Sequence, residues 1–216
     1  RAQVDYPALV RNPAFLLIIG GTLLSNLTIT LQMSQINLML ADAGVAGTTG
    51  AWMLTLYGAG VIAGRLLCGL ALDRFPSHVV AAIAMAAPAA GLLIFASGTG
   101  AIVWLALAIA TLGLSLGAEG DIGAYLVMRH FPAAVYSSVV GLVIAALAAS
   151  GVLGTLMLSA SLAHGASFSP FLLISAIGAI LGAGLFLALG RIGTTGNRDD
   201  IQLNERRDGI NEPGVA

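Results

Sequence analysis

Long apolar segments alternate with short polar segments along the chain, and this pattern predicts a bundle of membrane-spanning helices. One helical crossing of a bilayer needs about 20 predominantly apolar residues. Six segments meet this requirement, at residues 14–40, 48–71, 79–96, 101–127, 134–160 and 167–189. Because the connections between them are short, we expect one compact all-helical domain with no inserted soluble domain.

The arginines indicate how these six spans are oriented. One arginine, Arg65, lies inside a span. The other eight lie before the first span or after the second, fourth and sixth spans, at Arg1, Arg11, Arg74, Arg129, Arg191, Arg198, Arg206 and Arg207. These eight positions fall on one side of the membrane, which the positive-inside rule assigns to the cytoplasm. We therefore predict a multi-pass protein of the cell (inner) membrane with both termini cytoplasmic.

The composition agrees with a membrane domain. Hydrophobic residues make up 58% of the chain and charged residues 9%, whereas soluble domains have roughly 25% charged residues. The net charge of -1 gives no reason to expect nucleic acid as a partner, and the lipid bilayer is the expected surroundings. We interpret residues 1–13 as the end of a cytoplasmic linker, 14–190 as the six-helix domain and 191–216 as a disordered cytoplasmic tail. Because the chain begins with Arg1, we expect it to be part of a longer polypeptide.

Arg65 is the first candidate for a functional residue. It lies eight residues before Asp73, which corresponds to about 12 Å along a helix and places it near the middle of the bilayer. A lone arginine at this depth is costly, so it usually faces a protein interior or a water-filled cavity. We predict that Arg65 contacts the substrate.

The first span is unusually polar. Ser25, Thr28, Gln32 and Gln35 recur at helical spacing and form one stripe. Amide side chains that faced lipid would lack hydrogen-bond partners, so this stripe is expected to face water or another helix. We predict that Thr28, Gln32 and Gln35 line the substrate cavity together with Arg65. The alternative is that these side chains serve helix packing alone through interhelical hydrogen bonds.

The fourth span contains two acidic residues, Glu119 and Asp121, at a depth in the membrane similar to that of Arg65. Counted back from Arg129, they lie about 15 Å and 12 Å into the membrane. Either carboxyl group is a candidate to carry a proton, and either is a candidate ion-pair partner for Arg65. An ion pair would connect the second span to the fourth, and the sequence leaves these alternatives open.

These residues resemble a known family. Gly69-x-x-x-Asp73-Arg74 is similar to the G-x-x-x-D-R/K loop signature of the major facilitator superfamily, although Phe75-Pro76-Ser77-His78 replaces the usual glycine and basic residues. Arg65 before this loop, with Glu119-Gly120-Asp121 and the following segment 124–131, resembles the oxalate/formate antiporter and monocarboxylate transporter branch. The similar region corresponds to the C-terminal half of a twelve-helix transporter.

The resemblance implies a fold and a mechanism. Each six-helix half would contain two inverted three-helix repeats, and the site between the halves would open alternately to each side. Arg65 would bind a substrate carboxylate, while Asp73 and Arg74 would belong to the cytoplasmic gate. The expected partners are a small organic anion and the missing N-terminal six-helix half. Because the fifth span lacks the basic residue that this branch often has, a monocarboxylate is favoured.

Other classes of function fit the sequence less well. The sequence has no nucleotide-binding loop, metal cluster or covalent nucleophile, so we expect secondary transport, with no cofactor, no metal and no enzymatic activity. An intramembrane protease would need catalytic residues at one depth, and an ion channel would need a repeated filter or charge-ring pattern. Two further alternatives remain, namely a truncated or scaffold six-helix half without transport of its own and a facilitator-type carrier for a non-carboxylate solute.

Overall fold

The computed structural model describes residues 6–165 and 167–192, apart from the side chains of residues 6, 8, 164 and 165. Helices joined by short connections account for the described residues. They are α1 (Tyr6–Arg11), α2 (Pro13–Ser25), α3 (Ile36–Asp42), α4 (Gly47–Arg74), α5 (Ser77–Ala96), α6 (Ile102–His130), α7 (Tyr136–Gly165) and α8 (Ser169–Leu189), with a π-helical turn, Leu31–Gln35, before α3. The predicted all-helical fold is confirmed for these residues, whereas most of the predicted disordered tail lies outside them.

Five helices, α4 to α8, are long and apolar enough to cross a membrane, and they correspond to the second to sixth predicted spans. The first predicted span, 14–40, is not one continuous helix. Helix α2 ends at Ser25, residues 26–28 form a turn, and the π-helical turn precedes α3. Residues 26–30 are Asn, Leu, Thr, Ile and Thr, and four of these five residues have only modest helix propensity. Of the six predicted spans, the first therefore contains only a shorter apolar helix, Pro13–Ser25, and an interruption that the apolar pattern did not reveal.

Helix α7 supplies hydrogen-bond partners at this interruption. The Ser150 hydroxyl donates to the carbonyl of Leu23 at 2.6 Å, which belongs to the last turn of α2, where carbonyls lack helical partners. The Thr30 hydroxyl donates to the carbonyl of Gly151 at 3.0 Å. A Cβ atom on Gly154 would collide with the carbonyl of Leu27. Glycine and serine on α7 thus allow its backbone to lie directly against the interrupted segment.

Helices α4 and α6 cross at an equally short distance. Gly60 and Gly64 on α4 are buried and face Gly113 and Gly117 on α6. A Cβ atom on Gly64 would overlap the carbonyl of Leu114. Gly60-x-x-x-Gly64 therefore forms a small-residue ridge against which another helix packs closely.

The remaining helices complete the bundle around two apolar clusters. Helix α5 packs between α6 and α8, α8 packs against α2, and α2 packs against α7. Ile18, Leu126 and Phe186 lie in the first cluster, and Leu112 and Phe171 lie in the second. Helices α4 and α7 bury a smaller share of their most apolar segment than α5, α6 and α8 do. Much of the surface of α4 and α7 is therefore available for contact with lipid, water or further protein.

Candidate functional site

Arg65 and Asp121 form an ion pair between α4 and α6. Arg65 Nε lies 3.4 Å from Asp121 Oδ2. Each residue lies nine positions before the end of its helix, at Arg74 or His130, which corresponds to about 14 Å along the helix axis. Arg65 and Asp121, for which the sequence predicted a similar depth, are thus in direct contact.

Small residues on α6 allow this contact. A Cβ atom on Gly117 would lie 3.0 Å from the backbone nitrogen of Arg65, so the two backbones nearly touch at this level. One turn further along α6, a Cβ atom on Gly120 would lie 3.6 Å from Arg65 Nη2. The guanidinium group therefore lies over Gly120, and the absence of a side chain there gives it room.

The ion pair lies on an open surface of the bundle. The side chains of Arg65 and Asp121 are 65% and 42% exposed, and Gly120 between them is exposed as well. Gly120 also lines a cavity with Val143 and Leu147 of α7. We call Arg65, Gly120 and Asp121 the open face. Hydrocarbon chains do not solvate such charges, so this face must adjoin water or another protein surface.

Most of the polar stripe of the first span is hydrogen-bonded within the bundle. Thr28 and Gln32 are buried, and Gln32 Nε2 donates to Thr28 Oγ1 at 2.9 Å. The hydroxyl of Tyr57 on α4 donates to Gln32 Oε1 at 3.3 Å. Gln35 is partly exposed. In this conformation the buried pair joins α4 to the first span, as the packing alternative describes.

Tyr57 was not singled out in the sequence. The available signal was a phenolic hydroxyl within an apolar span, because a buried tyrosine hydroxyl usually has a hydrogen-bond partner. We expect Tyr57→Phe to lower the free energy of unfolding by about 1 kcal/mol, the usual range for one hydrogen bond between membrane helices. Thermal unfolding in detergent measures this change. Thr55→Ser, an exposed position on the same helix, is the control, and an equal loss in both variants would contradict the role of the Tyr57 hydroxyl.

Glu119 does not form the ion pair with Arg65, although the cavity that it lines also reaches Gly120 of the open face. It is two residues from Asp121, or about 200° around α6, and lines a cavity of about 220 Å³ among α2, α5, α6, α7 and α8. Glu119 Oε1 is shielded from solvent and has no hydrogen-bond partner among the described residues. Thr22 and Asn26 of the first span line the same cavity. The structure thus brings Asp121, but not Glu119, to Arg65.

The remaining predicted residues lie at the end of α4. Asp73 and Arg74 are its last two residues, and both are exposed. They lie about two helical turns from Arg65, so they do not belong to the open face. Within the described part of the chain, no group of three or more His, Cys, Asp or Glu side chains is arranged to hold a metal ion.

Comparison with known proteins gives the family. The model of the Major Facilitator Superfamily matches residues 18–210, which is most of the chain. No curated protein and no solved structure gave a significant match. The matched region contains helices α4 to α8 and the open face, and members of this family are membrane transporters. The chain therefore belongs to the Major Facilitator Superfamily and is a multi-pass membrane transport protein.

Proposed function

We propose that the protein is a secondary active transporter that moves a small organic anion, a monocarboxylate, across the membrane by alternating access. The observation that carries this proposal is the exposed guanidinium group of Arg65, held by Asp121 about 14 Å from the end of its helix. A position near the middle of a membrane span is costly for arginine, so the presence of Arg65 on the open face requires a function or a partner.

The geometry of Arg65 suits a carboxylate. Asp121 contacts Nε, which leaves the Nη1 side of the planar guanidinium group available for a second ligand. Guanidinium groups bind carboxylates through two parallel hydrogen bonds, which lysine does not provide. In our proposal Asp121 holds the guanidinium group in position when the site is empty. A substrate carboxylate then binds to the remaining donors or replaces Asp121.

The sequence resemblance supports the finer assignment. The segments around Arg65 and Glu119-Gly120-Asp121 resemble the oxalate/formate antiporter and monocarboxylate transporter branch, and we propose membership in that branch. Gln35, which is partly exposed, is the member of the polar stripe that we place near the substrate, while Thr28 and Gln32 would contribute in a conformation that releases Tyr57. We further propose that Asp73 and Arg74 form the cytoplasmic gate, that both termini are cytoplasmic and that a second six-helix half covers the open face.

A neutral polar solute is the second candidate substrate. Arg65 Nε and Asp121 Oδ2 are 3.4 Å apart and belong to groups of opposite charge. The pair therefore has no net charge and offers both hydrogen-bond donors and hydrogen-bond acceptors. A facilitator-type carrier for a hydroxyl-rich solute would use such a pair without displacing either partner. This alternative and the anion proposal predict that different solutes compete for the site.

Competition between related solutes tests the proposal. We expect membrane vesicles containing the protein to take up labelled lactate, and unlabelled lactate or pyruvate to inhibit this uptake. Lactamide has nearly the same size but no charge, and we expect it to compete at least about tenfold less well, because it loses a charge-assisted hydrogen bond worth about 1.5–3 kcal/mol. Vesicles without the protein are the control. Equal competition by lactate and lactamide would instead favour the neutral-solute carrier.

A further inference from the structure

A groove between α4 and α5 opens on the surface of the bundle. A short turn joins the two helices, but α4 packs against α6 and α5 packs against α6 and α8, so they touch each other little. The space between them has a volume of about 550 Å³ and has the buried residues Cys68 and Ala118 at its base. Leu67, Phe75 and Ile83 line its edges, and their side chains are exposed. We call this space the α4–α5 groove.

The α4–α5 groove is separate from the open face. The residues of α4 that line it recur at three- and four-residue intervals and form one stripe, namely Gly64, Leu67, Cys68, Ala71 and Phe75. Arg65 points about 100° around the helix axis from the middle of this stripe. The described residues that line the groove include no charged side chain. A protein that covered Arg65 and Asp121 would therefore leave the groove in contact with the hydrocarbon of the bilayer.

The length of the groove matches one leaflet of a bilayer. It extends along α4 from Phe75, at the end of the helix, back to Gly64. These eleven residues correspond to about 16 Å, and half of the hydrocarbon core is about 15 Å thick. On the opposite wall, Val79 lies near the start of α5 and Ala87 lies about two turns deeper. One acyl chain that enters beside the α4–α5 turn can therefore lie in the groove along its full length.

The end of the bundle at which the groove begins carries positive charge. Phe15 near the start of α2 contacts Phe131 after α6 edge to face, and a Cβ atom on Gly190 after α8 would collide with the ring of His78 on α5. These contacts bring the start of α2 and the ends of α4, α6 and α8 to one level. The charged arginine and acidic side chains described at this level are exposed, namely Arg11, Arg74, Arg129, Arg191 and Asp73. Basic side chains near a membrane surface attract anionic headgroups by about 1 kcal/mol each.

We propose that the α4–α5 groove binds an anionic phospholipid, with one acyl chain between α4 and α5 and the headgroup phosphate at Arg74, which directly precedes Phe75. An acyl chain in the groove contacts α4, α5 and α6 on three sides, whereas lipid on a convex helix surface is contacted on one side only. The bound lipid therefore exchanges more slowly than the surrounding lipid and remains bound through detergent extraction. This binding does not depend on which solute the protein transports.

Native mass spectrometry of the detergent-purified protein, with no transport substrate present, tests the proposal. Dipalmitoyl phosphatidylglycerol and dipalmitoyl phosphatidylcholine have the same acyl chains, and only the first has a net negative charge. We expect phosphatidylglycerol to bind about fivefold more tightly, which corresponds to about 1 kcal/mol for one arginine. Glycerol 3-phosphate carries the phosphate without acyl chains, and we expect it not to displace the lipid. Displacement by glycerol 3-phosphate would overturn the role of the groove.

Two substitutions on α5 test the place of the acyl chain. Ala84 lines the groove, so the ring of Ala84→Phe would occupy the space of the chain, and we expect the affinity for phosphatidylglycerol to fall at least about tenfold. Ala90→Phe is the matched control, because Ala90 is exposed on the same helix and does not line the groove. We expect its affinity to remain within about twofold of the wild type. If Ala84→Phe does not fold, Ala87→Phe fills the same groove.

Arg74→Gln tests the place of the headgroup. We expect this variant to bind phosphatidylglycerol and phosphatidylcholine equally, with the affinity for phosphatidylcholine unchanged. A preference for phosphatidylglycerol that persists in Arg74→Gln would overturn the contact at Arg74. Equal lipid binding by the groove-filling variants and Ala90→Phe would overturn the acyl-chain site. A dimer mass that Ala84→Phe abolishes would show that a second copy of the chain, and not a lipid, occupies the groove.

Discussion

Arg65→Lys is expected to reduce the uptake of a small carboxylate about tenfold, and Arg65→Ala about a hundredfold, at substrate concentrations below saturation. Lysine keeps the positive charge but loses the planar arrangement of donors that binds both carboxylate oxygens. One hydrogen bond to a charged group is worth about 1.5–3 kcal/mol, and 1.4 kcal/mol corresponds to a factor of ten. Alanine removes the charge as well and leaves Asp121 without its partner. Initial rates in vesicles measure both variants.

Arg129→Lys is the matched control for this measurement. Arg129 lies near the C-terminal end of α6, where Nη1 donates to the Tyr125 hydroxyl at 3.2 Å, far from the open face. We expect uptake by the Arg129→Lys variant to remain within about twofold of the wild type, since exposed pairs contribute little to stability. Comparable amounts of folded protein must be confirmed by gel filtration. Full uptake by Arg65→Lys together with Arg65→Ala would remove Arg65 from the substrate site.

Gly64→Ala is expected to destabilise the bundle by about 2–3 kcal/mol, although alanine is the better helix former. The added Cβ atom would overlap the carbonyl of Leu114 on α6, and this neighbour is backbone that cannot rotate away. Overpacking of this kind typically costs about 1–3 kcal/mol. Because the α4–α6 contact also positions Arg65 against Asp121, separation of the helices would disturb the site as well. Thermal unfolding followed by fluorescence-detected gel filtration measures the loss.

Gly58→Ala distinguishes the collision from a general effect of replacing glycine. Gly58 lies on the same helix, and a Cβ atom there would have no neighbour within 4 Å. We expect this variant to be neutral, or more stable by up to about 1 kcal/mol because alanine favours the helix. If the Gly64→Ala and Gly58→Ala variants have the same stability, the short distance between α4 and α6 does not determine the stability of the bundle.

The spans and the depth of the charges follow from simple properties of the sequence. Apolar length predicted the helices α4 to α8, and the rise of 1.5 Å per residue placed Arg65 and Asp121 at one level. Their pairing remained one of two alternatives, because helical spacing gives the height of a side chain but not which neighbouring helix it faces. In the structure, the Gly60-x-x-x-Gly64 and Gly113-x-x-x-Gly117 pairs bring α4 and α6 together, so that Arg65 faces Asp121.

The interruption of the first span could not be predicted from its composition. Asn26, Thr28 and Thr30 lower helix propensity only by tenths of a kcal/mol each, which is too little to identify a break. The break depends instead on partners that are distant in sequence, such as Ser150, which donates to Leu23. For the same reason the sequence did not reveal that Thr28 and Gln32 bond to each other and to Tyr57.

The open face has a consequence for how lipid surrounds the protein. Acyl chains can cover the outward apolar side chains of α5 and α8, such as Ile83, Leu93, Ile177 and Ile180. They cannot wet the guanidinium and carboxylate groups of Arg65 and Asp121 without a large energetic penalty. The layer of lipid around these helices is therefore interrupted, and its gap coincides with the ion pair.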